Sequence, residues 1–235
     1  MADQRIPLYQ TGLHPCSYLD RKDASTVFLD PNILLNVEGA EVMAEQGFRR
    51  SGRHTYRPHC PQCHGCISVR VNVQDFQPNR TQRKILNRNQ DLHIEVSEPQ
   101  LTLENYRLYR RYISERHRDG DMFPPTARQF QDFLGVDSGF TQFWNIRRGH
   151  ELVGVAVTDN FRRSLASVYS FFDPDDHRRS LGTYAVLKQI EAARQSGRLW
   201  LYLGYWISDC RKMRYKTAFQ PLEMFNGNDW QHFQP

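Results

Sequence analysis

No run of about twenty apolar residues occurs in the chain, so no helix of this sequence is expected to span a bilayer. Cysteine is scarce, with five in 235 residues, three of them inside the single run Cys60-Pro-Gln-Cys63-His-Gly-Cys66. That usage argues against a disulfide framework and leaves reduced thiols or a metal site. The opening MADQRIPLYQ lacks the basic and then apolar segments of a secretory leader, so the expected compartment is the cytosol. A serine-hydrolase elbow, a P-loop and an HExxH motif are all missing, and with them the chemistries those motifs carry. Internal repeats and low-complexity tracts are missing too. Acidic residues nearly vanish from one window. Between Gly47 and His93 nine Arg and Lys residues face only Asp75 and Asp91, a local net charge of +7, which leaves −2 for the rest against a total of +5. A positive field so localised favours a polyanionic partner, with nucleic acid the usual one.

What is present describes a well-buried core, as one large domain or two small ones, since 39% of residues are hydrophobic and 24% charged. Residues up to about 30 read as irregular. Ile33, Leu34, Leu35 and Val37, then Val42 and Met43, suggest a short strand followed by a short helix, and Phe48 to Tyr56 a hairpin about Ser51-Gly52. Ile67 to Val73 alternates as a half-buried strand does. Asn79 to Asp91 is a polar basic helix whose outer face carries Arg80, Arg83, Lys84 and Arg88. Leu92 to Val96 alternates again. Ser97-Glu98-Pro99-Gln100 marks the expected boundary between a part spanning 1–98 and a part spanning 99–235. Thr102 to His117 is helical by its apolar spacing, and Thr126 caps a shorter helix. Strands over Phe140–Arg147 and Glu151–Thr158 follow, and a short helix is expected over Ser208–Lys216.

Ser164 to Trp206 reads as strand, turn, helix, strand. Asp173-Pro174 stops the first run, Tyr184, Leu187, Ile190 and Ala193 repeat at helical spacing, and Gly197 ends the helix. Such a unit sets a helix N-terminus beside strand ends, where a phosphate or a developing oxyanion can be held. It is equally a plain piece of β-α-β core. Cys60, Cys63 and Cys66 have the spacing that brings thiolates onto one metal, with Cys16, His59 or His64 as a fourth ligand for zinc or an iron–sulfur centre. Near the helix start, Arg179-Ser-Leu-Gly182-Thr-Tyr184 comes close to the R-x-x-G-x-G/A turn of acyl-CoA N-acyltransferases, with Ala185 one step late. Together with the strand order it favours an α+β, acyltransferase-like mixed sheet with flanking helices behind an amino-terminal cysteine-bearing region.

Several blocks carry a broader resemblance: GFRRSGRHTYRPHCPQCHGCISVRV, NRTQRKILNRNQDL, LYRRYISERHRDGDM, VYSFFDPDDHRRSLGTYAVLKQIEAA, LYLGYWI and MRYKTAFQPLE. They resemble bacterial aminoacyl-tRNA–protein transferases, most closely the aspartate/glutamate leucyltransferases, relatives of the arginyl-tRNA–protein transferases. The match runs from Cys16 to Trp230. It implies transfer of leucine from leucyl-tRNA to the α-amine of proteins beginning with Asp or Glu, leaving an N-terminal leucine that marks them for degradation. No cofactor is implied for the transfer itself.

Under that resemblance, Val168–Phe172 would splay from Leu199–Gly204, and the freed main-chain N–H groups would bind the leucyl carbonyl. Asp173 or Tyr169 would assist proton removal from the amine. The acceptor's acidic side chain needs a cation, for which Arg116, Arg118, Arg178, Arg179 and Lys216 are candidates. The helix start at Gly182 would face the charged end of the tRNA, whose terminal adenosine stacks on Tyr205, Trp206 or Tyr215, while Arg80, Arg83, Lys84 and Arg88 follow its phosphates. The alternatives are an arginyl-tRNA–protein transferase, an acetyl-CoA-dependent N-acetyltransferase of similar fold, and a non-enzymatic nucleic-acid-binding protein. Replacing Arg83 and Lys84 by Ala is expected to weaken tRNA binding and flatten its salt dependence in binding titrations; an unchanged salt slope would place the RNA path elsewhere.

Overall fold

Pairings distant in sequence organise the amino-terminal part. The computed structural model describes residues 6–20 and 23–233; residues 1–5, the head of the stretch read above for a leader, lie outside these. Strands β1 (Leu8–Gln10), β2 (His14–Pro15), β3 (Asp23–Ala24) and β4 (Thr26–Leu29) precede helix α1 (Val37–Glu45). The hairpin expected about Gly52 follows as β5 (Arg49–Ser51) and β6 (His54–Pro58), with Gly52 at φ +58°. Four of these strands form an antiparallel sheet in the order β1-β4-β6-β5. The region expected to be irregular is therefore partly stranded, in pieces too short for alternation to mark them. The strand expected over Ile33–Val37 does not form. Asn36 accepts the Gly39 amide at 2.9 Å and starts α1 instead, leaving Leu34 89% exposed.

The rest of the chain builds one large sheet and its covering helices. Its elements are β7 (Ile67–Asn72), α2 (Arg80–Arg88), β8 (Leu92–Ser97), α3 (Leu103–Arg116), α4 (Ala127–Phe133), β9 (Thr141–Arg148), β10 (Glu151–Asn160), β11 (Ser164–Phe172), α5 (Leu181–Gln195), β12 (Trp200–Trp206), β13 (Leu222–Phe225) and β14 (Trp230–His232). A 3-10 segment, Arg211–Ala218, replaces the helix expected over Ser208–Lys216. Helix starts follow their caps: Thr102 accepts the Asn105 amide and Thr126 the Gln129 amide, both at 3.1 Å. Asn79 and Gln82 form a reciprocal capping box on α2.

Among the described residues the large sheet has eight strands in the order β14-β13-β7-β12-β11-β10-β9-β8. Only β11 and β12 run parallel, joined by the crossover helix α5, so the sheet is mixed. Side-chain alternation divides its cores. One face packs Ile85 of α2 and Tyr184, Leu187 and Ile190 of α5 against Val69, Ile146 and Leu201. The other packs Tyr109 and Ile113 of α3 and Phe130 of α4 against Phe143, Val155 and Phe171, with Ala40 and Ala44 of α1 meeting Ala166 and Tyr202 further along. Strands β7 and β8 come from before residue 98, so the expected division at 98/99 coincides with no break in this sheet.

Buried polar contacts fasten the small sheet to the large one. Arg50 of β5 grips Asp159 of β10 with two bonds, Nε to Oδ2 at 2.9 Å and Nη2 to Oδ1 at 2.7 Å, and Thr141 donates to the same carboxylate. The two side chains are only 10% and 2% exposed. Removing one partner of such a pair strands the other charge away from water. Arg50→Ala is expected to lower unfolding stability by about 3–5 kcal/mol, read by urea denaturation; a loss under about 1 kcal/mol would mean the pair behaves as a surface contact.

Candidate active site

Strands β11 and β12 stay together for three residue pairs, Ser164–Trp200, Leu165–Leu201 and Ala166–Tyr202, and then part. Past this point β12 keeps its partner β7 through a register shift between Tyr202 and Gly204, and β11 keeps β10 through an irregularity at Val157/Thr158. The parting matches the splay expected there. A groove of 700 Å³ opens in the gap. Ser167 to Ser170 line it from β11, Ser180 to Thr183 from the start of α5, Tyr112, Arg116 and His117 from the end of α3, and Lys212, Tyr215 and Lys216 from the 3-10 segment. Ser180 adopts φ +52°, the left-handed region, and gives α5 no side-chain cap, so the first amides of that helix are left for other partners.

One side chain enters the gap from the small sheet. Arg49 of β5 donates Nη2 to the Ser167 carbonyl at 3.2 Å. Its guanidinium lies so close to β12 that a Cβ on Gly204 would stand 1.2 Å from Nη1, and Gly204 sits at φ +81°. Glycine answers both demands. Nη1 is buried and has no hydrogen-bond partner. Beside it Lys216, 8% exposed, donates its ammonium to the Tyr205 carbonyl. Burial first, and then the Arg49 charge, lower the Lys216 pKa to about 7. Among the described residues neither cation has a carboxylate partner.

Of the expected site residues, Tyr169, Gly182, Arg116, Tyr215 and Lys216 meet in this groove. The Tyr169 hydroxyl is buried without a partner, and burial pushes its pKa far above the ordinary phenol value. Burial thus keeps the hydroxyl protonated and free to donate a hydrogen bond. Asp173 lies outside the lining; it takes a bond from Arg111 at 3.2 Å and from the Asp175 amide at 3.0 Å, as a turn aspartate does. Arg118 and Arg178 are exposed and outside the groove. Arg179 is engaged by Asp91 at 2.7 and 2.8 Å and by Asp176 at 3.0 Å. Tyr205 is buried, its hydroxyl donating to the Gly47 and Tyr56 carbonyls, and Trp206 packs edge-on against Phe233, so neither presents a free stacking face to the groove. Arg80, Arg83, Lys84 and Arg88 are all exposed on α2. Arg88 also donates to the Arg178 carbonyl, which sets that end of α2 beside the rim of the groove.

Arg49 and His117 are among the groove residues that escaped the sequence reading. Arg49 stood among nine basic residues of one charged window, where nothing local singles it out. His117 stood in the ERHRDGDM block; its ring packs 5.0 Å from Tyr112, and burial, then Lys212, lower its pKa and favour the neutral imidazole.

Cys16, Cys60, Cys63 and Cys66 surround a second cavity of 370 Å³, together with His59 and His64. All five cysteines of the chain are free thiols. Burial, then the neighbouring thiols, push Cys66 up to about 12. The donor set suits a thiophilic metal. Its side chains stand apart, and among the described residues no three His, Cys, Asp or Glu side chains converge on a point that an ion would fill.

The model for the N terminus of arginine-tRNA-protein transferases matches residues 14–84, and the model for their C terminus matches 104–226. An aspartate/glutamate leucyltransferase of Saccharophagus degradans is 46% identical over 97% of this chain and 97% of its own length. One from Chromohalobacter salexigens is 49% identical over 98% of this chain and 94% of its own. Among solved structures, L-PGS from Bacillus licheniformis aligns over 62% of this chain and 48% of that one, at 11% identity and a TM-score of 0.46. Matched by both family models and nearly end to end by these relatives, the chain belongs to the arginine-tRNA-protein transferase family, among the aspartate/glutamate leucyltransferases.

Proposed function

We propose that this protein moves leucine from leucyl-tRNA to the α-amine of proteins whose first residue is Asp or Glu, on an acyltransferase-like sheet, in the cytoplasm. The near end-to-end relationship to leucyltransferases supports the reaction, and the unpaired edge of β11 supports the place. An aminoacyl ester is already activated, so the protein must position two substrates, accept a proton and hold a tetrahedral oxyanion. Beyond Ala166, among the described residues, β11 has no strand partner on the side of β12, and Ser167 to Ser170 line the groove there. Main-chain groups on this edge receive the leucyl carbonyl.

The incoming amine forms the new C–N bond, the ester C–O bond breaks, and the ribose hydroxyl leaves. Neutral His117 accepts the proton released from the amine and returns it to the departing ribose oxygen, a relay that a neutral imidazole can serve. The buried hydroxyl of Tyr169 donates a hydrogen bond to developing negative charge. Gly182 at the uncapped start of α5 admits the terminal nucleotide, Tyr215, 47% exposed, offers it a stacking face, and the outer residues of α2 follow the phosphates. A zinc ion or iron–sulfur centre at Cys16, Cys60, Cys63 and Cys66 would staple the amino-terminal segment, and no step of the transfer passes through it.

Purified protein supplied with radiolabelled leucyl-tRNA, arginyl-tRNA or acetyl-CoA, and with peptides beginning with Asp, Glu or Lys, separates the readings. Leucine is expected on the Asp and Glu peptides alone. Transfer from acetyl-CoA, or from no donor, would contradict the proposal, and transfer from arginyl-tRNA would change the donor.

A further inference from the structure

Buried charge is tolerated when it is paired, yet Arg49 and Lys216 both line the groove and, among the described residues, neither has a carboxylate partner. Such a pair is arranged for an anion that arrives with a substrate. We propose that Arg49, backed by Lys216, is the specificity-determining residue that receives the side-chain carboxylate of the acceptor's first residue. This inference rests on the acceptor class proposed above and names what reads it.

Four observations point to a carboxylate and to this residue. The guanidinium is a flat fork of donors that matches a carboxylate in two parallel bonds, and one of its nitrogens is unsatisfied. It is held at a fixed height by the Ser167 carbonyl and by the space that Gly204 leaves. Ser167 belongs to the β11 edge assigned to the leucyl carbonyl. A carboxylate seated on Arg49 through the one or two methylenes of Asp or Glu therefore keeps the α-amine close to that edge. The other cations of the groove are less suited: Arg116 is exposed and pairs with the His177 ring at 3.0 Å, and Lys212 is paired with Asp119 at 3.0 Å. A tRNA phosphate is the rival occupant, but the buried Nη1 lies deeper than the exposed arginines of α2 that a backbone phosphate meets first.

The test compares kcat/KM for peptides beginning with Asp and with Asn, in the wild type, Arg49→Met and Arg49→Lys, alongside tRNA-free binding of the same labelled peptides and thermal unfolding of each protein. In Arg49→Met the Asp-to-Asn ratio of kcat/KM is expected to fall about 100-fold, so the discrimination collapses. Equal losses on both peptides in a folded variant would make Arg49 a structural filler and overturn the proposal. Preserved discrimination with weakened leucyl-tRNA binding would also overturn it, by giving the anion to the RNA. Should Arg49→Met fail to fold, Arg49→Lys decides: it keeps the charge but loses the fork, and about a tenfold drop in the Asp-to-Asn ratio is expected, whereas an unchanged ratio refutes the assignment. A wild type that transfers no leucine would tell against the reaction. Peptide binding would still judge Arg49, since an Asp preference that survives Arg49→Met overturns its role.

Discussion

The structure turns on one guanidinium placed where two parallel strands stop pairing. Strands that diverge leave main-chain groups that must find partners or stay open to a ligand. Arg49 satisfies one of them, the Ser167 carbonyl, and Gly204 gives up its side chain so that the guanidinium fits. Because neighbours on a strand point to opposite sides, Arg50 faces the other way and locks onto Asp159. One residue of β5 thus anchors the small sheet while the adjacent one enters the groove. The amino-terminal sheet consequently contributes to the wall of the groove, although the chain returns to the large sheet only afterwards.

Charge is divided by depth. Arg80, Arg83, Lys84 and Arg88 stand in solvent on α2, where long-range attraction for a polyanion is useful and desolvation is slight. Arg49 and Lys216 are recessed, where a charge discriminates strongly because water no longer competes. The same burial that lowers Lys216 and His117 raises Tyr169. Around the proposed reaction centre this leaves a neutral imidazole able to take a proton and a protonated phenol able to give a hydrogen bond.

Local pattern made much of the fold legible. Helix α3 and its Thr102 cap, the hairpin at Gly52, the strands of β9 to β12 and the helix between the last two all announce themselves within a dozen residues. Strands β1, β4, β13 and β14 do not, because each is three or four residues long and owes its existence to a distant partner, as Leu8 does to Leu29 and Leu222 to Val71. The site follows the same division. Tyr169, Gly182 and Lys216 could be named from motif blocks, whereas Arg49 meets Ser167 across 118 residues and looked like any other charge in a basic window. Tyr205 shows the converse error. Its aromatic ring suggested a nucleobase platform, but its hydroxyl is tied to Gly47 and Tyr56 inside the protein. Side-chain chemistry can be read from sequence; which side of a sheet it faces, and what already occupies it, is decided by tertiary contact.

The most direct test is a crystal structure of the protein with a non-hydrolysable leucyl-adenosine analogue and a peptide beginning with Asp. The account predicts the leucyl carbonyl against the β11 edge between Ser167 and Ser170, with the peptide carboxylate in two bonds to Arg49. An adenosine bound away from this groove, or an Asp side chain turned to solvent with Arg49 still unpaired, would contradict it.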